Sequence, residues 1–135
     1  MFKVFVYGTL KPGEVNYRRY CEGKIVKEEE AIAWGRLFLL PMPMGYPALT
    51  VGANRIQGYL LSFQDANLLN QLDQLEGYHP DSPLEDNQYL RQSIPVFRPT
   101  GEPLGDALAY LMSVAKIEQY GGTELPDGCW SPISN

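Results

Sequence analysis

"VFVYGTLKPG", residues 4–13, carries a strand, its abrupt end and a turn in one short piece. Over residues 2–7 the side chains fall into two sets, Phe2, Val4 and Val6 against Lys3, Phe5 and Tyr7, and both sets are largely apolar. A strand with one wet face alternates apolar and polar residues, so this run predicts a central strand covered on both sides. Gly8-Thr9 interrupts it, and Lys11-Pro12-Gly13 reads as a turn. The break has two readings. Gly8 either merely lets the strand bend or, lacking a Cβ, lets the N–H groups of Gly8, Thr9 and Leu10 converge as a nest for a carboxylate. The Gly8-x-x-x-x-Gly13 spacing matches a phosphate loop, yet Glu14 and Val15 stand where Lys and Ser or Thr are needed. With no GxGxxG either, the standard routes to ATP and NAD are set aside.

Working outward, Asn16 is placed to cap a short helix running to about Glu22, and residues 24–30 read as charged and exposed. "AIAWGRLFLL" (31–40) is a second strand. "PMPMGYPALT" (41–50) reads as loop or irregular edge, because Pro41, Pro43 and Pro47 lack the N–H of a central strand. "NRIQGYLLSF" (54–63) is a third strand. The clearest helix follows in "QDANLLNQLDQLEGY" (64–78): Leu68, Leu72 and Leu75 share one face, Asp65 suits the first turn, and Gly77 is the stop. "QYLRQSIPVF" (88–97) and "DALAYLMS" (106–113) are two more strands around a Pro/Gly turn, the first made an edge strand or bulged by Pro95. A short helix over "VAKIEQY" (114–120) and a tail from residue 121 to 135, pinned by Trp130, close the chain. The pattern is α+β: one domain over 1–135, with a mixed, largely antiparallel or barrel-like sheet.

The 135 residues are 44% hydrophobic and 20% charged, as in a soluble globular domain. No apolar run is long enough to span a bilayer and no signal peptide is visible, so cytoplasmic residence is the default expectation. Cys21 and Cys129 form neither a disulfide framework nor a zinc pattern, and no metal site is expected. Net charge is −5 but uneven: residues 1–27 hold six basic and two acidic side chains, whereas 56–90 contain no Lys or Arg. Only the N-terminal piece offers the basic surface that nucleic acid requires, and it reads as a solvated charged face or an electrostatic complement to the acidic segment, so no nucleic-acid partner is expected.

Among residues able to carry chemistry, Glu76 is anomalous. It lies four residues after Leu72 and seven after Leu69, on the apolar side of the helix, with Asp73 at the edge of that face. Either the last turn frays and Glu76 enters water, or its carboxyl is buried. In the second case desolvation and the like charge of Asp73 raise its pKa, as proton shuttling requires. His79 has no metal-spaced partners, and neither thiol has a base at a telling distance. Tyr7, Tyr89 and Tyr110 fall on strands, as core aromatics or as hydroxyls lining a pocket. Arg91 alternates with Tyr89 and would pair with an acid or bind an anionic group.

Taken together, "VFVYGTLKPG", "RIQGYLLSF", "LNQLDQLEGY", "QYLRQSIPV", "DALAYLM" and the closing "DGCW" resemble, in order, the gamma-glutamylcyclotransferase-like (AIG2-like) family. The resemblance covers most of residues 2–130. It implies a small mixed β-barrel with flanking helices, no cofactor, and release of a γ-glutamyl group as 5-oxoproline with a free amine. It implies that Tyr7, Gly8, Thr9 and Leu10 hold the carboxylate and amino end of a small-molecule γ-glutamyl substrate and that Glu76 carries the proton. Tyr89 is then expected at the pocket wall with Arg91 on the same strand. The same scaffold without catalysis would be a module binding an amino-acid-like ligand. Members often carry Gly-Glu where this chain has Gly58-Tyr59, and the stretches 41–47 and 78–88 are individual to it. Neither the leaving amine nor the oligomeric state is implied.

Overall fold

The computed structural model describes residues 1–131, so the last four residues of the expected tail, 132–135, lie outside the described residues. β1 (Phe2–Val6), β2 (Lys27–Leu39), β3 (Pro47–Phe63), β4 (Leu90–Phe97) and β5 (Pro103–Leu111) close a small barrel, and β6 (Thr123–Glu124) adds to β2. β1 is central, as its two apolar sets predict: it runs antiparallel to β3 (Val4↔Leu61) and parallel to β5 (Val4↔Leu108). The β2–β3 and β4–β5 pairs are antiparallel, and β2 meets β4 at Ile32↔Phe97. Pro95 therefore sits on a strand with one full partner, where its missing N–H is tolerated.

The two faces of β1 serve two cores. Phe5 and Tyr7 join Ala33, Leu37, Ile56 and Ala109 inside the barrel, while Val4 and Val6 pack outward against Leu68, Leu69 and Leu72 of helix α1 (Ala66–Leu75). A π-helical turn at Tyr17–Cys21, a 3₁₀ turn at Leu84–Asp86 and helix α2 (Val114–Tyr120) complete the outside layer. No helix among the described residues is long and apolar enough to cross a membrane.

Three local expectations are corrected. The charged segment before Ala31 is already strand from Lys27, because Lys27–Glu30 pair with Tyr59–Ser62 while Lys27, Glu28 and Glu30 point into solvent. The Pro-rich stretch contributes Pro47–Thr50 to β3, where Pro47, first in the strand, owes no N–H to the ladder. Asn16 makes no side-chain cap on the turn it precedes; its Nδ2 donates to Thr9 Oγ1 at 2.7 Å.

Helix α1 starts on Asp65, whose carboxylate accepts from the Asn67 N–H at 2.9 Å. It ends in a closed C-terminal motif. The Tyr78 N–H donates to the Asp73 carbonyl at 2.8 Å and the Gly77 N–H to the Gln74 carbonyl at 3.2 Å, with Gly77 at φ 65°. That glycine turns the chain back along β4, and the end does not fray. At the far end, Trp130 is buried and accepts through its carbonyl a bond from Lys11 Nζ at 2.5 Å. The tail is thus fixed to the turn that follows β1.

Candidate active site

Where β1 ends, its loop meets the last residue of α1 and the approaches to β3 and β4 around a cavity of about 150 Å³. Tyr7, Gly8, Thr9 and Leu10 line it. Glu76, Tyr89 and Tyr110 line it as well, together with Tyr46, Pro47 and Gln88. Sequence elements up to about a hundred residues apart meet here because β1 pairs with β5, which carries Tyr110.

The loop is held from behind. The Thr9 carbonyl accepts from the N–H groups of Asn16 at 3.1 Å and Tyr17 at 3.2 Å, and the Gly8 carbonyl accepts from the Lys11 N–H at 3.0 Å. Among the described residues no protein acceptor takes the N–H of Gly8, Thr9 or Leu10. Gly8 is needed for close approach, not for a left-handed φ: a Cβ there would lie 2.7 Å from Pro47 Cγ.

Glu76 is half-buried, but its carboxyl is inside the cavity without a protein hydrogen-bond donor among the described residues. Desolvation raises its pKa from 4.5 to about 7. The expected second cause, the like charge of Asp73, does not contribute. Asp73 is buried and occupied elsewhere: Oδ2 accepts from Arg91 Nη1 at 2.7 Å and Oδ1 from the Tyr110 hydroxyl at 2.7 Å. Arg91 thus pairs with an acid and stacks over the Tyr78 ring, outside the residues lining the cavity. Burial, with Glu76's charge adding to it, pushes the phenols of Tyr7, Tyr89 and Tyr110 well above their ordinary range. Tyr7 and Tyr89 lie just beyond their strand ends, whereas Tyr110 is within β5.

Sequence reasoning missed Asn16, Tyr46 and Gln88, which line the cavity, and the support given by Asp73. Asn16 and Tyr46 lie in segments read as cap and loop. The tie between Asp73 and Arg91 spans 18 positions, with no local signal. Tyr59, the departure noted in the middle strand, is not among the cavity's residues, and His79 is exposed.

The chain is a small mixed barrel with a carboxyl of raised pKa and the loop after β1 lining one cavity. The chain belongs to the AIG2-like gamma-glutamyl cyclotransferase family, whose model matches residues 4–132. Among solved structures it is similar to an AIG2-like protein of Mus musculus (20% identity, TM-score 0.66, 100% of this chain and 98% of that one). It is also similar to YkqA of Bacillus subtilis (26% identity, TM-score 0.64) over 96% of this chain, and it spans 39% of that protein's length. A likeness to part of the allophanate hydrolase of Kluyveromyces lactis (14% identity, TM-score 0.59, 92% of this chain and 19% of that one) shows the fold alone. No protein of curated function matches the chain in sequence.

Proposed function

We propose that this chain is a cyclotransferase acting on a small γ-glutamyl amine or amide, releasing 5-oxoproline and a free amine. The observation that carries the reading is the Glu76 carboxyl, at a pKa of about 7, in one cavity with the Tyr7–Leu10 loop. Family membership supports the same class.

In such a substrate the α-amine and the γ-carbonyl belong to one molecule, so attack closes a five-membered ring. The protein has to hold the folded conformer and move protons. The N–H groups of Gly8, Thr9 and Leu10 clamp the α-carboxylate. Glu76, ionised, takes a proton from the α-ammonium. The freed amine adds to the γ-carbonyl carbon; the new C–N bond forms and the carbonyl becomes an oxyanion. As the oxyanion collapses, the old C–N bond breaks and Glu76 returns its proton to the departing amine nitrogen; the ring nitrogen, cationic since the attack, then gives up its second proton through the re-ionised Glu76 to the released amine, which leaves as an ammonium ion. Proton and charge balance, and no co-reactant is consumed. A carboxyl near neutrality serves both steps; one near 4 would be a weak base and an almost empty acid.

The test is incubation with γ-glutamyl dipeptides, γ-glutamylamines and ε-linked γ-glutamyl-lysine, followed by detection of 5-oxoproline. Glu76→Gln is expected to keep the fold by circular dichroism and to lose at least about 100-fold in turnover. Near-normal turnover by that variant removes Glu76 as proton carrier. Absence of 5-oxoproline from every substrate favours a ligand-binding role for the cavity.

A further inference from the structure

A second cavity, of about 310 Å³, shares no lining residue with the one that holds Glu76. It lies where β2 and β3 run side by side and the C-terminal tail meets them. Ala31 pairs with Gly58 and Glu30 with Tyr59, and the Gln57 N–H donates to the Gly128 carbonyl at 2.8 Å. Gly128 has φ 67°, and a Cβ there would lie 2.0 Å from the Arg55 carbonyl oxygen. Glycine is what lets the tail come this close, and the approach brings Cys129 into the lining. The buried members of the lining, Ala31, Ile32 and Gly58, are apolar, whereas the charged ones, Lys11, Arg55 and Glu30, are half-buried or exposed. Tyr59, the departure noted in the middle strand, lines this cavity and brings a ring, not a carboxylate.

Both cations here lack a counter-charge. Lys27, Arg36 and Arg91 each meet a carboxylate at 3.2 Å or closer, but Lys11 and Arg55 form no ion pair among the described residues, and Glu30 pairs with neither. Each is tied instead to a neutral carbonyl: Lys11 Nζ donates to that of Trp130 at 2.5 Å and Arg55 Nη2 to that of Pro99 at 2.8 Å. Such a bond fixes the side chain without cancelling its charge. An ammonium has three N–H donors and a guanidinium five, so two remain on Lys11 and four on Arg55. Because both are already anchored, a ligand that takes up these donors has less ordering entropy to supply. The Gln57 N–H is spent on the tail, so recognition falls to the side chains.

Spare cationic donors beside a buried apolar lining fit an anionic group carried on a small apolar body. We infer that this cavity is a second binding site, for a small organic anion whose carboxylate or phosphate group meets Lys11 and Arg55 while its apolar part covers Ala31, Ile32 and the Tyr59 ring. A guanidinium suits either group, because its fork presents two parallel N–H donors to paired oxygens. The inference goes beyond the proposed function. It uses no residue of the reaction, and it stands whether or not Glu76 carries a proton.

Cys129 reports on the cavity, since Cys21 is fully buried. The native protein is treated with N-ethylmaleimide, an uncharged thiol reagent, at pH 7.5 and constant ionic strength, against rising phenyl phosphate, benzoate or inorganic phosphate. Calorimetry follows the same titrations. Phenyl phosphate, benzoate or both are expected to bind saturably and to slow Cys129 modification several-fold. Inorganic phosphate, with no apolar part, is expected to bind more weakly. The tighter of the two aromatic anions shows whether the natural ligand is a phosphate or a carboxylate. Arg55→Gln is expected to weaken binding about tenfold, the scale of a hydrogen bond to a charged group. Lys11→Gln is expected to do the same; Lys11 also holds Trp130, so Arg55→Gln keeps the test open should that variant fail to fold. The inference is overturned if none of the three anions binds saturably, or if inorganic phosphate binds as tightly as phenyl phosphate. It is equally overturned by binding that Arg55→Gln leaves at native strength, or that L-glutamate displaces. In that last case the anion occupies the cavity of Glu76, and the proposed function is untouched.

Discussion

The Glu76 carbonyl accepts the Tyr89 N–H at 3.2 Å, and next to it the Gly77 carbonyl accepts the Gln88 N–H at 3.0 Å. The end of α1 is thereby tied through main chain to the segment leading into β4. The acid and one of the phenols lining the same cavity are held relative to each other by backbone bonds, which long side chains alone would not achieve. The C-terminal motif of α1 aims Glu76, and these two bonds keep it aimed.

Gly77 is the first place to test that linkage. It sits at φ 65°, and a Cβ there would lie 2.7 Å from Gln88 Cβ. Gly77→Ala is expected to destabilise the protein by about 1–3 kcal/mol, from left-handed strain and crowding together. Denaturant unfolding measures this. Activity should fall further than stability accounts for, because the displaced segment carries Glu76 and Tyr89. An alanine variant with native stability and turnover would mean that the motif has no role in placing the acid.

Burying Glu76 has a cost that depends on pH. Its folded pKa of about 7 exceeds the ordinary 4.5, so between those values the native state binds more protons than the unfolded chain, and stability falls as pH rises through the window. The penalty is absent below about 4.5 and complete above about 7. Its upper bound is about 3 kcal/mol, and solvent reaching the open cavity reduces it to about 1–2 kcal/mol. Glu76→Gln is therefore expected to be more stable than the native protein at pH 8 and to lose that advantage near pH 4.5. A variant equally stable at both pH values would place the carboxyl in water.

Much of this arrangement was legible in the chain. The double apolar alternation of residues 2–7 marked β1 as central, and the Leu68–Leu72–Leu75 stripe with Gly77 marked both the helix and its end. Glu76 stood out because it interrupts an apolar face. The Lys27–Glu30 strand was hidden because most of its side chains are solvated, so its composition is that of a loop. Asp73 was misjudged for another reason. Its partners Arg91 and Tyr110 lie on β4 and β5, and only barrel closure brings them under α1. A carboxylate that looks like a repulsive neighbour in sequence is a neutralised support in the fold.

The raised pKa also predicts the pH dependence of catalysis. The proposed base must be ionised in the free protein, so kcat/KM is expected to fall on the acid side with an apparent pKa near 7 instead of near 4.5. The limb should be missing from the residual activity of Glu76→Gln. An acid limb near 4.5 in the native protein would argue that the carboxyl is solvated when substrate arrives.

Gly8 separates the two readings of the opening motif. Its φ is not left-handed, so backbone conformation alone would accept alanine. What opposes the change is the Pro47 ring, whose Cγ would lie 2.7 Å and Cδ 3.1 Å from the new Cβ. Pro47 starts β3, and its carbonyl receives the Tyr89 hydroxyl, so it has little freedom to retreat. In Gly8→Ala the loop itself has to give, carrying the N–H groups of residues 8–10 away from a bound carboxylate. Stability is expected to drop by about 1–3 kcal/mol, and affinity for L-glutamate by roughly tenfold, on the scale of hydrogen bonds to a charged group. Calorimetry decides the matter: unchanged affinity in a folded Gly8→Ala protein would reduce the break after Tyr7 to a plain turn and leave the carboxylate to be held elsewhere.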